Sequence, residues 1–257
     1  MTTAVKTISQ DASMSEAIKD MKKYGIHGLI VTDDKKPVGI VTTYDALLIM
    51  ARGMRGETTF VKDAMSKELI SISPDEDILD TLELMLDNQL TKLPVIDAGE
   101  LVGILCATDL VDAFDKFLEE NPIDVSEYPK VSLTVRDVMH EPTIIGPELL
   151  VLDAAKIMVE KEISSVLIKK DDTLGILTER DISKKVIAKG FDGKTLMVSE
   201  IMSSPCYTIE SDASINDASE LFNKHNIRRL PVVEHGEVVG MVSARDIAKT
   251  LTMRRRL

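Results

Sequence analysis

Four times along the chain, two short runs of unbroken apolar residues follow an amphipathic stretch. The run pairs are Leu29-Ile30-Val31 with Val38-Gly39-Ile40-Val41, Leu93-Pro94-Val95-Ile96 with Leu101-Val102-Gly103-Ile104-Leu105, Val166-Leu167-Ile168 with Leu174-Gly175-Ile176-Leu177, and Leu230-Pro231-Val232-Val233 with Val238-Val239-Gly240-Met241-Val242. Only a few polar or glycine residues separate the members of a pair, as in Asp33-Asp34-Lys35-Lys36-Pro37, at Gly99 and at His235-Gly236. So short a connection predicts an antiparallel hairpin. The amphipathic stretches before the hairpins carry apolar residues at helical spacing: Met14, Ala17, Ile18 and Met21; Ile78, Leu82, Met85 and Leu86; Val151, Ala154, Ala155 and Met158; Ile215, Ala218, Leu221 and Phe222. Ser13 with Glu16 forms a capping box that opens the first of these helices, and Gly25 stops it. Short strands precede the helices, at Thr7-Ile8-Ser9 and Ile70-Ser71-Ile72. A second helix follows the hairpin, as from Thr42 to about Ala51. Each unit therefore reads strand, helix, strand, strand, helix.

The hairpin-to-helix junction repeats with its chemistry. Gly-x-x-Thr-x-x-Asp occurs as Gly39 to Asp45 and Gly175 to Asp181, with Ser243 for the hydroxyl in Gly240 to Asp246 and Cys106 in Gly103 to Asp109. The glycines lie 64, 72 and 65 residues apart, the mark of an internal repeat. A lead Val61-Lys62-Asp63-Ala64-Met65 precedes the second unit, Val135-Arg136-Asp137-Val138-Met139 the third and Val198-Ser199-Glu200-Ile201-Met202 the fourth; the first unit lacks one. The boundaries expected are 1–56, 57–114, a linker at 115–134, 135–193 and 194–257. Strands apolar on both faces need cover on both. Helices cover one face of each sheet, so another unit must cover the other.

Composition narrows the class. The chain has 257 residues and a formal charge of -12, and 44% of it is hydrophobic with no tryptophan, enough for a sizeable aliphatic core. Residues 1–128 hold 12 Lys and Arg against 24 Asp and Glu, whereas 129–257 hold 19 of each. Only Arg254-Arg255-Arg256 resembles a basic patch, so nucleic acid is not the expected partner. No apolar run is long enough to span a membrane, and Met1 to Lys6 lacks the pattern of a secretory signal. Cys106 and Cys206 are expected as buried, reduced thiols of a cytoplasmic protein, and the four histidines have no zinc-ligand spacing. His225 and His235 are expected to face solvent.

The unit order, the Asp63-Ala64-Met65, Asp137-Val138-Met139 and Glu200-Ile201-Met202 leads, the Leu-Pro-Val strands and the Gly-x-x-Thr/Ser-x-x-Asp junctions together resemble the CBS-domain family. The resemblance covers nearly the whole chain outside the linker. It implies an α+β fold of four CBS repeats paired into two Bateman modules, first with second and third with fourth. Similar four-repeat chains include stand-alone archaeal proteins and the gamma subunit of AMP-activated protein kinase.

The family implies adenosine ligands, commonly AMP, ADP or ATP, in clefts between paired repeats. Carried over, the ribose pairs are Thr42/Asp45, Thr178/Asp181 and Ser243/Asp246, with the Cys106 site in doubt because a thiol is a weak donor. Phosphate would meet residues before the Leu-Pro-Val strands: Arg228 and Arg229, Lys92, or the uncharged Ser164-Ser165 and His27-Gly28, supplemented by Arg180 and Arg245. Adenine would lie near Ile209, Ile145, Ile72 and Ile8. The best-equipped cleft is expected to combine Thr178, Arg180 and Asp181 with Ile209, Arg228 and Arg229. The same junctions also read as helix caps, and the two roles are compatible. If the motif serves binding alone, Asp181→Ala should leave the melting temperature nearly unchanged.

The function expected is a non-catalytic, cytoplasmic nucleotide sensor read by a protein partner, and a homodimer. Its adenine nucleotide is a ligand and not a catalytic cofactor, and no metal is expected. The alternatives are S-adenosylmethionine or another adenosyl ligand, and an assembly scaffold with degenerate sites.

Overall fold

The computed structural model describes residues 1–34, 36–88, 90–106, 109, 133–170 and 173–253. The arginine tail and nearly all of the expected linker lie outside them. All four hairpins are antiparallel: Gly28–Asp33 with Lys36–Thr42, Lys92–Asp97 with Glu100–Cys106, Ser165–Lys170 with Thr173–Thr178, and Arg229–Glu234 with Glu237–Ser243. Three gain a parallel third strand, from Thr7–Ser9, Ile144–Ile145 and Ile209–Glu210. In the second repeat the strand expected at Ile70-Ser71-Ile72 shrinks to one parallel bridge between Ile72 and Val95. Pro94 stands where Ile30 of the first repeat donates its N–H to the Lys6 carbonyl, and without an N–H it cannot bond the chain before Ile72.

The first helices span Met14–Tyr24, Ile78–Asp87, Val151–Glu160 and Ile215–His225. Ser13 caps the first, with Glu16 returning its carboxylate to the Ser13 backbone N–H at 2.8 Å. Gly25 ends it at φ 69, a left-handed conformation that glycine adopts without a Cβ penalty. The second helices begin at the repeated junctions: Thr43–Ala51, Glu179–Asp181 running on through a π turn and a 3-10 turn to Lys189, and Ala244–Met253.

The chain forms two compact units, each built from alternate repeats: Ala4–Ile70 with Thr143–Cys206, and Met1–Thr3 with Ser71–Pro142 and Tyr207–Leu257. In the first, helix Thr43–Ala51 packs against Val151–Glu160 and the helix after Thr178. Six of its nine residues, Thr43, Asp45, Ala46, Leu47, Ile49 and Met50, are buried. A helix apolar nearly all round has no face for solvent and needs partners on several sides. This helix contact joins the first and third repeats and comes in addition to the pairing that apolar sheet faces require. The core of that unit runs from Ile8 and Met14 through Leu47 and Met50 to Met158, Leu177 and Ile187. In the other unit, helix Ala244–Met253 meets Ile78–Asp87, and a second core gathers Val135, Ile209, Phe222, Leu230, Val232 and Val242.

The leads make short helices, Val61–Ala64, Val135–Val138 and Val198–Ile201, and the residue after each lead methionine pairs onto a hairpin. Ser66 bridges Ile40, His140 bridges Met241 and Ser203 bridges Ile176. Thr2 bridges Ile104 in the same way, so the N-terminal residues supply a lead for the first repeat, against the expectation that it lacks one. In every case the methionine lies on the hairpin glycine: Met65 on Gly39, Met1 on Gly103, Met202 on Gly175 and Met139 on Gly240. That contact explains why the repeated junction begins with glycine. A side chain there would occupy the methionine's place.

Candidate functional site

At three junctions the strand ends in a hydroxyl residue that caps the next helix. Thr42, Thr178 and Ser243 each donate their backbone N–H to the carboxylate three residues on, at 2.7, 3.0 and 2.9 Å. Their hydroxyls donate to the same oxygen at 2.9, 2.7 and 2.5 Å. At the second junction Cys106 keeps the backbone bond to Asp109 at 2.8 Å. The carboxylate is thus held at a helix N-terminus, where the positive end of the helix dipole favours negative charge.

The surroundings then differ. Asp45 is 6% exposed, and burial pushes its carboxyl up to about 6 although the Thr42 hydrogen bonds pull it down. For Asp246 burial also pushes upward, but hydrogen bonds from His140 and Ser243 outweigh it and hold the group below the ordinary range. His140 Nδ1 is 3.2 Å from Asp246 Oδ2. Asp181 is tied down on its second oxygen, by the Ser203 hydroxyl at 3.1 Å and by Lys185 Nζ at 2.8 Å. Lys185 also donates to the Ile201 carbonyl at 2.6 Å. The residue after the lead methionine therefore reaches the motif carboxylate in both the third and fourth repeats. Sequence reasoning missed His140 and Ser203 because their partners stand 106 and 22 residues away.

This corrects the expected neutrality of Asp181→Ala. Removing a side chain with two junction bonds, a Ser203 contact and a half-buried lysine should lower stability by about 2 kcal/mol. Asp181→Asn, which keeps the size and one acceptor oxygen, should lose less than half of that in urea unfolding; equal losses for the two variants would contradict the assignment.

The cations are also placed. Register sets Lys92 directly across from Cys106, and Arg229 across from Ser243, within the same repeat. Gly28 faces Thr42 and Ser165 faces Thr178, so those two junctions have no charge opposite them. Burial pushes the Cys106 thiol up, and Lys92 and Arg228 partly counter it, which puts Arg228 of the fourth repeat near the second repeat's junction. Arg245 is exposed one residue before Asp246. Arg180 lies against His27 Nε2 of the first repeat. Lys184 is pulled down by burial first and then by Arg180 and Lys22. Arg180 and Lys184 thus form a cationic pair beside His27, whose ring nitrogen accepts from the guanidinium.

The expected combination of Thr178, Arg180 and Asp181 with Ile209, Arg228 and Arg229 divides between the two compact units. Within the units themselves, Arg180 neighbours His27 and Arg228 lies near Cys106. Ile72 and Ile209 are buried and Ile145 is half-buried, each beside a hairpin. His225 is half-buried and stacks on Tyr207 with ring centroids 3.8 Å apart, a correction to its expected solvent exposure. Cys106 and Cys206 are partly rather than fully buried, and both are free thiols. Among the described residues, no cluster of His, Cys, Asp and Glu could hold a metal ion, and no helix is long and apolar enough to cross a membrane.

A family model described as the CBS domain matches residues 1–52, 61–116, 135–188 and 198–252. An uncharacterized protein of Methanopyrus kandleri is 38% identical over 120 residues, 45% of this chain and 61% of that protein. An uncharacterized protein of Methanocaldococcus jannaschii is 27% identical over 97% of this chain and 60% of its own length. The chain thus spans less than two thirds of both relatives. Among solved structures, a Methanocaldococcus jannaschii protein described as a proposed archaeal homologue of g-AMPK superposes with a TM-score of 0.78, covering 96% of each chain at 18% identity. At that identity the likeness concerns the fold.

Proposed function

We propose, from the premise that this chain belongs to the CBS-domain family, that it is a non-catalytic regulatory protein that binds adenine nucleotides. The observation that carries this reading is the recurring junction, in which a carboxylate is fixed at a helix N-terminus beside a hydroxyl. A carboxylate so held can accept hydrogen bonds from both ribose hydroxyls, as in dinucleotide-binding folds. Lys92 across from Cys106, Arg229 across from Ser243, and Arg180 with Lys184 supply charge for phosphates. Arginine at the fourth repeat suits a di- or triphosphate better than lysine does, because its fork contacts two oxygens.

Calorimetry with AMP, ADP and ATP tests this. Binding is expected at sub-millimolar ligand, and Arg229→Gln should weaken ATP about tenfold while weakening adenosine less than twofold, the size of one charge-assisted contact. Absence of heat with all three nucleotides at millimolar concentration would end the reading. The ligand state would reach a protein partner only if ligand binds two conformations unequally.

A second reading has its own support at the first repeat. Gly28, not a cation, faces Thr42 there, so an adenosyl ligand without phosphates, such as S-adenosylmethionine, fits that junction better than a nucleotide. Competition between the two ligand classes at Asp45 and Asp246 variants separates the readings.

A further inference from the structure

The first and third repeats match each other 137 positions apart in the segment that joins them, and the contacts obey that spacing. Ser15 donates its N–H to the Gly56 carbonyl at 2.9 Å, and Leu152 donates to Gly193 at 3.0 Å. A Cβ on Gly56 would strike Ile187 of the third repeat, and one on Gly193 would strike Met50 of the first. These are the reciprocal contacts of a two-fold axis between two unlike halves.

The loops at that axis, Gly53–Glu57 and Gly190–Lys194, have reversed signs. Arg55 corresponds to Asp192, and Glu57 to Lys194. Glu57 reaches over Gly190, and Lys194 Nζ comes within 3.8 Å of the Cβ position of Gly53. The loops therefore run antiparallel, which sets Arg55 opposite Asp192, and all six residues line one small cavity. Pairing of the first repeat with another first repeat would place Arg55 opposite Arg55. Pairing of two third repeats would place Asp192 opposite Asp192.

We propose that this loop pair is a charge-matched recognition surface whose partner is the unlike repeat: it selects the third repeat, and not a second copy of the first, for the helix packing that builds the unit. The apolar helix faces supply the adhesion, and burial of apolar surface is by itself non-directional. Charge supplies the discrimination, as complementary signs do where otherwise interchangeable surfaces meet. Arg55 and Glu57 are 62% and 47% exposed and also pair with each other at 3.2 Å, so the effect is modest.

The test exchanges the signs in the full-length chain. Arg55→Asp with Glu57→Lys gives both loops the signs of the third repeat, and Asp192→Arg with Lys194→Glu gives both the signs of the first. Each double variant is expected to lower the melting temperature by about 2–4 °C at low salt. The quadruple variant, with signs reversed but opposite again, is expected to recover to within about 1 °C of the parent, a departure from additivity that marks direct coupling. The losses should shrink in 1 M salt, where screening acts over about 3 Å. Additive losses in the quadruple variant, or no loss in either double variant, would overturn the proposal. Should a double variant fail to fold, the neutral cycle of Arg55→Gln and Asp192→Asn must still show a double loss smaller than the sum of the single ones.

Discussion

Replacing Gly39 by alanine is expected to destabilise the protein by about 3 kcal/mol, the upper range for overpacking a rigid site. The added Cβ would lie 2.5 Å from the Ser66 carbonyl oxygen and 2.9 Å from Met65 Sδ. A methionine end can swing aside, but Ser66 cannot. Its backbone exchanges two hydrogen bonds with Ile40, at 3.0 and 3.1 Å, so the lead must detach from the hairpin to make room. Gly103→Ala meets mainly the Met1 side chain at 2.7 Å and should cost less than Gly39→Ala. Gly146 has no atom within 4 Å of its Cβ position and no positive φ, so Gly146→Ala should be neutral within about 0.5 kcal/mol. Urea unfolding of the three variants measures the order. A Gly39 variant as stable as the Gly146 variant would refute the locking role of the lead.

Asp45 sets the second large effect, and it depends on pH. Its carboxyl titrates near 6 in the folded chain against 3.8 as its ordinary value, chiefly because burial disfavours the charge. A raised folded value means that protonation favours folding. This contribution is fully present below about 3.8 and is lost as pH rises through about 6. The two-unit difference corresponds to about 3 kcal/mol. Wild type should therefore gain about 2 kcal/mol relative to Asp45→Asn between pH 7.5 and pH 4.5, the remainder arriving as pH falls on through the ordinary value of 3.8. The comparison with the variant removes the opposing carboxylates Glu16, Asp137, Asp217 and Asp246, which are held low and destabilise the chain on acidification. A difference that stays flat across this range would contradict the buried, elevated carboxyl. The same linkage bears on ligand binding: ribose hydroxyls donate to the ionised carboxylate, so an adenosyl ligand at this junction should bind more tightly above pH 6 than below it.

Local elements were legible because their causes are local. Ser13 and Glu16 are three residues apart and make the capping bonds expected of them. The hairpins follow from apolar runs and short turns, and all four appear with Leu29, Leu93, Val166 and Leu230 buried. The strand at Ile70 to Ile72 failed for a non-local reason, since a parallel edge strand is held by its partner's donors and Pro94 offers none. The candidate groups were legible as types: Thr42, Thr178 and Ser243 all cap, and all touch their carboxylates. Their neighbours were not. Nothing in the spacing places His140 on Asp246, Arg180 on His27 or Arg228 near Cys106.

The sequence by itself determined the repeat, its strand and helix order, and the hydroxyl–carboxylate junction, because each rests on interactions within a few residues or on a pattern repeated four times. It also held the glycine and methionine of each lead contact, without indicating that they meet. Only the tertiary structure decided which lead lies on which hairpin, which oxygen of Asp181 stays committed to Ser203 and Lys185, and how strongly Asp45 is desolvated. Only it brought the first repeat's Arg55 loop against the third repeat's Asp192 loop. Those outcomes depend on packing between segments far apart in the chain, where equal hydrophobic patterns allow several partners and small differences in shape and charge select among them.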